Sequence, residues 1–205
     1  MTLDRRSFIK VLGSASGLAL AGCATQGSVG STTEIMPKGA ARRVVVLGGG
    51  YGGAIAAKYV RMLDKSIEVV LIEKNKQFIS CPFSNFYIAG LMNDMSALTI
   101  GYDKLAANHG IKMLFAEATA IDPAAKKVIT TEGAVTYDRL IVSPGIDFRN
   151  EEVEGYTADT ANIIPHAWKA GAQSTLLRNQ LQAMPDGGKV VISMPERMAR
   201  WAIRA

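Results

Sequence analysis

Arg43-Val44-Val45-Val46-Leu47-Gly48-Gly49-Gly50-Tyr51-Gly52-Gly53-Ala54 is the stretch whose reading decides the fold. Four apolar residues in a row, Val44 to Leu47, read as a strand buried on both faces, as in a parallel sheet. The run breaks into glycines with G-x-G-x-x-G spacing at Gly48, Gly50 and Gly53. Gly48 allows a tight turn, Gly50 carries no side chain to hold a pyrophosphate off the backbone, and Gly53 lets the next helix pack close to the strand. That helix, expected over Ala54 to about Met62, points its N-terminal N–H groups and partial positive charge at the phosphates. The loop and first turn (Gly48, Gly50, Tyr51, Gly52 and Gly53) are therefore the expected binding residues. A second apolar strand, Val69-Val70-Leu71-Ile72, ends on Glu73, where an acid accepts hydrogen bonds from a ribose. Glycine spacing alone is weak, and a plain βαβ unit with a glycine-rich turn would show it too. Strand, glycines, helix, strand and acid in this order mark a dinucleotide site in an α/β, Rossmann-like domain with a parallel sheet.

The totals bound the rest. A chain of 205 residues holds one good domain, or one and part of another. The net charge is +5, and setting aside Arg5, Arg6, Lys10 and Asp4 near the N-terminus leaves +3. So small and dispersed a surplus gives no reason to expect nucleic-acid binding. Two cysteines and two histidines do not make a conventional zinc site, and no C-x-x-C-H haem-attachment motif is present. No metal is expected, and any haem would come on another chain.

The N-terminus reads as an address. Asp4-Arg5-Arg6-Ser7-Phe8-Ile9-Lys10 stands ahead of a mild apolar stretch, Val11 to Ala21, too short to span a bilayer as a permanent helix. It resembles a twin-arginine export signal, which carries folded proteins to the periplasm. Leu20-Ala21-Gly22-Cys23 resembles a lipobox, in which Cys23 would be lipidated; an ordinary cleavage site beside an idle cysteine fits equally. Residues 24–40, rich in Ser, Thr, Gly and Ala, are expected to be a flexible tether.

Past Glu73, Cys81 follows Phe78 and Ile79 and precedes Pro82, so it falls in a constrained loop at the ligand-binding edge of the sheet. Read from the residues alone, it is either a nucleophilic thiol or a buried small hydrophobe, the latter being the usual fate of a free cysteine. Tyr102 to Asn108 is expected to be a short helix ended by Gly110, with His109 a surface or capping residue. Ile111 to Ala116 reads as a strand. Ala118 to Asp122, Lys126 to Thr131 and Val135 to Tyr137 make a β-meander. Arg139 to Val142 then returns an apolar strand to the sheet, and Ser143-Pro144-Gly145 turns where its backbone, at Pro144 and Gly145, can approach a cofactor; Pro-Gly is also simply a good turn.

This order of pieces is similar to that of the two-dinucleotide-binding flavoprotein reductases. More narrowly it resembles the flavoprotein subunit of flavocytochrome c sulfide dehydrogenase. The resemblance rests on Gly48 to Gly53, Lys58-Tyr59, Leu71-Ile72-Glu73, Cys81 with Ser84-Asn85, and Gly101-Tyr102-Asp103. It continues through Tyr137-Asp138-Arg139, Pro144-Gly145-Ile146, Glu154-Gly155-Tyr156 and Pro165-His166-Ala167-Trp168-Lys169-Ala170-Gly171. It runs from about Arg42 to Ile192. The resemblance implies FAD as the cofactor, Cys81 as the site of its covalent attachment at the 8α position, and a c-type cytochrome subunit as electron acceptor. His166 and Trp168 match family positions and are expected to pack rather than react.

Pro165 to Met184 reads as a helix, with Trp168, Ala172, Leu176, Leu177 and Leu181 as its buried stripe, and Lys189 to Ser193 as a strand. The expected organisation is therefore a signal (1–23), a tether (24–40), an FAD-binding domain (41–160), the first helix and strand of a second nucleotide-binding-like domain (161–193), and an atypical tail (194–205). The family continues through a redox disulfide that sulfide attacks, beginning with an Arg-Cys-Pro-type segment. Here Arg197-Met198-Ala199-Arg200-Trp201-Ala202 stands in that place, as a one-base frameshift or a shorter protein would produce. The expected function is the FAD-binding part of a sulfide dehydrogenase, without sulfide oxidation by this chain alone. The alternatives are a sulfide:quinone or NADH reductase relative, or a non-catalytic exported FAD-binding fragment.

Overall fold

The computed structural model describes residues 32–148, 150 and 153–192. The export signal, Cys23 and the tail from Ser193 lie outside the described residues. The opening βαβ unit is β1 (Arg43–Leu47), α1 (Tyr51–Leu63) and β2 (Glu68–Glu73). The helix starts three residues earlier than the sequence suggests, because Gly50 itself is the N-cap. It stops at Asp64, whose carboxylate accepts from the Ser66 N–H (2.8 Å) and hydroxyl (2.6 Å) and so closes a tight turn into β2. Next come β3 (Gln77–Ile79), α2 (Ser84–Ile88), β4 (Thr99–Gly101), α3 (Asp103–His109) and β5 (Lys112–Phe115). Gly110 terminates α3 in the left-handed conformation, with φ of +63°, as its place after His109 predicts. His109 is the last helical residue, and its carbonyl accepts from Arg61 Nε (2.9 Å).

The main sheet has the order β5-β2-β1-β9, where β9 is Arg139–Val142, and every pairing in it is parallel. Strands β6 (Ala118–Asp122), β7 (Lys127–Thr130) and β8 (Ala134–Thr136) form the antiparallel meander. Alternation along β1 and β2 divides the core into two layers. Val44, Val46, Val69 and Leu71 pack with Ala57 of α1, Tyr102 and Ile111 on one face. Val45, Val70 and Ile72 pack with Val128 and Val135 of the meander on the other. Burial on both faces explains the unbroken valine run, each such side chain contributing about 1.5–3 kcal/mol.

Arg43 opens β1 at the sheet edge opposite the glycine loop and is wholly buried. Its guanidinium meets Glu68 (Nε to Oε2, 2.5 Å) and donates to the carbonyls of Met36 (2.7 Å) and Pro37 (3.1 Å). These contacts correct the expected tether. Residues 33–37 are docked, with the Ile35 N–H on the Ala134 carbonyl (3.0 Å) and the Ala134 N–H on the Thr33 carbonyl (2.7 Å). The meander edge needed a partner for its backbone, and this segment supplies it.

Two further expectations are corrected near the end of the described chain. The helix expected from Pro165 begins only at Ala172, as α5 (Ala172–Ala183), after a short α4 (Ala158–Ala161). Carbonyls that a longer helix would use are taken by tertiary partners: Ile164 O by the Tyr156 hydroxyl (2.9 Å) and Trp168 O by the Cys81 thiol (2.8 Å). Gly171, with φ of +136°, completes the break. Trp168 is thus exposed rather than part of a buried stripe. Helix α5 packs on α2 instead, with the Arg178 guanidinium 4.6 Å over the Tyr87 ring and donating to the Tyr87 carbonyl (3.1 Å). Residues 189–192 form no strand, and Val190, Val191 and Ile192 are exposed. A lone apolar segment with no ladder to join gains nothing from extension.

Candidate dinucleotide site

The C-terminal ends of β1, β2 and β9 meet at one edge of the sheet, where ligands bind in open α/β folds. The Gly48 N–H donates to Ile72 O (2.8 Å) and the Ser143 N–H to Leu47 O (2.7 Å), so the glycine loop and the Ser143-Pro144-Gly145 turn are fixed side by side. Gly48 has φ of +97°, and a Cβ on it would lie 2.0 Å from Ser143 O and 3.1 Å from Pro144 Cα. A Cβ on Gly53 would lie 1.8 Å from Gly48 O. The fold itself therefore demands these two glycines. Gly52 is less restricted, since a Cβ there would meet only Ser143 Oγ at 2.8 Å, a hydroxyl that rotation about χ1 can move aside. Gly50 differs, since a Cβ there would meet only the Phe78 ring at 3.7 Å, an ordinary contact. It therefore puts no side chain of its own at the start of α1, where no acidic residue stands in the first turn. An anion fits there on electrostatic grounds, beside helix N–H groups that have no intrahelical partner.

Glu73 lies where the sequence places it, at the end of β2. One carboxylate oxygen accepts the Gly49 N–H (2.8 Å); the other accepts the Asn75 N–H (2.9 Å) and side-chain amide (3.0 Å). Tyr102, buried beneath the loop, donates its hydroxyl to Gly49 O (3.1 Å). Burial, then the nearby Glu73 charge, pushes its pKa up to about 12. Sequence reading assigned neither Asn75 nor Tyr102 to the site. The signal available for Tyr102 was its place at the cap of a short helix, in the Gly101-Tyr102-Asp103 segment that carries the family resemblance.

The cysteine loop joins the same edge. Tyr51, the first residue of α1, hydrogen-bonds Ser80 Oγ through its hydroxyl (2.5 Å) and meets the Phe78 ring edge-on at 5.0 Å. Cys81 is therefore held next to the helix start, and its thiol is exposed, which corrects the buried-hydrophobe reading. The loop bends because Phe83 takes a left-handed φ of +70° and Ser84 N–H donates to Cys81 O (3.0 Å). The thiol reaches Trp168 O, and Lys169 pairs with Asp147 (2.9 Å) just beyond Gly145, which turns with φ of +82°. The Lys169 hydrogen bond holds the Asp147 carboxyl below its usual range. His166 stacks on Phe148 at 4.2 Å, and burial, with Lys169 close by, lowers its pKa.

A glycine-loop helix start, an acid at the end of β2 and a parallel sheet are the parts of a dinucleotide-binding Rossmann-like unit. Residues 42–182 match the pyridine nucleotide-disulphide oxidoreductase family, and the chain belongs to it. Over 44 residues it is 61% identical to the sulfide dehydrogenase [flavocytochrome c] flavoprotein chain of Chlorobaculum thiosulfatiphilum, a match covering 22% of this chain and 92% of that sequence. A type II NADH:quinone oxidoreductase of Staphylococcus haemolyticus is 31% identical over 119 residues, 56% of this chain and 29% of that protein. Among solved structures, the sulfide:quinone oxidoreductase of Aquifex aeolicus superposes with a TM-score of 0.60 at 24% identity, over 69% of this chain and 32% of that one. The chain thus spans about a third of the length of these two oxidoreductases. Membership in this family and its flavoprotein relatives imply that the chain binds a flavin. Among the described residues, no helix is long and apolar enough to cross a membrane.

Proposed function

We propose that this chain is the FAD-holding part of an exported sulfide dehydrogenase that passes electrons to a c-type cytochrome subunit. The observation that carries the reading is the exposed Cys81 thiol, in a loop fastened by the Tyr51–Ser80 hydrogen bond to the helix that starts at the glycine loop. A relative 61% identical over 44 residues, itself a sulfide dehydrogenase flavoprotein chain, supports it. The backbone of Gly48, Gly50, Tyr51, Gly52 and Gly53 would hold the pyrophosphate and Glu73 the adenosine ribose. The Pro144-Gly145 turn would line the flavin side, and Cys81 would be the point of covalent attachment. When bound, FAD supplies acceptance of an electron pair from a reduced substrate and its release one electron at a time. The protein's own part is to bind, orient and retain it. Retention has a physical logic in the periplasm, the destination proposed from Arg5-Arg6, because lost FAD is not replaced there. Anchoring through a lipid on Cys23 is part of the same proposal.

The test is to express the chain with its own N-terminus in a host with twin-arginine export and denature the periplasmic fraction. Flavin fluorescence that travels with the polypeptide, and is lost in Cys81→Ser, supports the reading; a colourless polypeptide contradicts it. The likeness to type II NADH:quinone oxidoreductase favours a second reading, which predicts bleaching of the bound flavin by NADH; the first reading predicts none.

A further inference from the structure

Gly49, not part of the G-x-G-x-x-G spacing, is gripped from two sides. Its N–H donates to Glu73 Oε2 (2.8 Å) and its carbonyl accepts from the Tyr102 hydroxyl (3.1 Å). The Tyr102 ring lies directly beneath it, so that a Cβ on Gly49 would stand 2.6 Å from the hydroxyl oxygen and 2.9 Å from two ring carbons. Tyr102 is itself fixed. It is 4% exposed, belongs to the helix-side core, and its carbonyl accepts the Leu105 N–H (2.9 Å) at the start of α3. The described backbone contains no cis peptide bond, and in a trans peptide the carbonyl and the following N–H point in opposite directions. Drawing the Gly49 carbonyl down into the core therefore turns the Gly50 N–H outward. It emerges at the N-terminal end of α1, where Gly50 is the cap and no side chain of its own screens the peptide.

We infer that Tyr102 is a positioning residue, whose hydroxyl orients the Gly49–Gly50 peptide so that the Gly50 N–H meets the pyrophosphate of the bound dinucleotide. The inference rests on the proposed reading of this loop as the FAD site. The ring and the hydroxyl have separable roles: the ring fills the core under the loop, and the hydroxyl sets the direction of one peptide. With its pKa raised to about 12, the hydroxyl stays a donor throughout the pH range in which the protein is handled.

The experiment compares ADP, which carries the pyrophosphate, with adenosine, which lacks it, by calorimetric titration of the full chain. Tyr102→Phe keeps the ring and removes only the donor. It is expected to weaken ADP about 3- to 10-fold, the worth of one neutral hydrogen bond, and to leave adenosine unchanged. Equal losses for both ligands, or no loss for ADP, overturn the proposal. In the wild-type protein, the Gly50 amide proton is expected to shift on addition of ADP and to stay in place on addition of adenosine; an unmoved Gly50 amide also overturns it. If wild-type protein binds neither ligand, the FAD reading itself fails and this inference fails with it. If wild type binds ADP and only the Tyr102 outcomes fail, the FAD reading stands alone.

Discussion

Gly53→Ala and Gly50→Ala are expected to fail in different ways, although both change one glycine of the same motif to alanine. The Gly53 methyl would sit 1.8 Å from Gly48 O and 3.0 Å from Gly48 C, against an ordinary contact of at least 3.4 Å. Both neighbours are backbone atoms, and Gly48 is itself tied to Ile72 O, so the start of α1 must move away by about 1.6 Å. Overpacking of this kind costs about 1–3 kcal/mol, and rigid neighbours put this site at the top of that range. With a urea slope of about 1–3 kcal/mol per molar, the unfolding midpoint falls by at least ~1 M. The Gly50 methyl instead meets Phe78 at 3.7 Å, and Gly50 has φ of −65°, which alanine adopts freely. Its stability should stay within ~0.5 kcal/mol of wild type, because a weaker cap is offset by a stiffer unfolded chain. ADP affinity should nevertheless fall by ~10-fold or more, about 1.4 kcal/mol, since the methyl occupies the approach to the backbone. Urea unfolding and ADP titration on both variants decide the matter. A Gly50→Ala protein that binds ADP like wild type, or a Gly53→Ala protein with an unchanged midpoint, would refute the reasoning.

Other outcomes follow from the same geometry. Arg43→Met takes from the half-buried Glu68 one of its two cationic partners, Lys112 remaining, and should cost about 1.5–3 kcal/mol in urea unfolding, the worth of a hydrogen bond to a charged group, while Glu68→Gln added to it costs less than the sum. Acid should unfold the protein progressively. For Glu68, burial pushes the pKa up but the hydrogen bonds and charges of Arg43 and Lys112 outweigh it; for Asp138, the Arg43 N–H and Lys38 lower it. Both folded-state values lie below the unfolded ones, so their stabilisation is complete above the ordinary glutamate value of 4.5 and disappears as pH falls through the folded values, readable as a falling urea midpoint. Cys81→Ser should abolish flavin that survives denaturation and leave reversible FAD binding in place, as measured by fluorescence before and after unfolding.

What was legible in the sequence was local. Val44 to Leu47, the glycines, Val69 to Glu73 and the meander declare themselves through short-range pattern, and the two-faced burial of β1 explains why its pattern is so plain. What depended on distant partners was not. The ladder of β3 with β4 joins three-residue strands such as Phe78 with Ile100, too short to show periodicity. The docking of residues 33–37 depends on Arg43 and on the meander edge, and the late start of α5 on Cys81 and Tyr156. Within the site, Gly48, Gly53 and Glu73 were readable because a spacing rule names them. Tyr102 was not, because its function lies in a single hydrogen bond to a carbonyl 53 residues away in sequence.

The measurement that bears most directly on the central claim is a titration of FAD into the purified chain, with ADP and FMN as competitors. If the Gly48–Gly53 loop and Glu73 hold the ADP half of the cofactor, FAD binds one to one, ADP displaces it, and FMN, which lacks that half, does not. Absence of FAD binding, or displacement by FMN as effective as by ADP, would contradict the account.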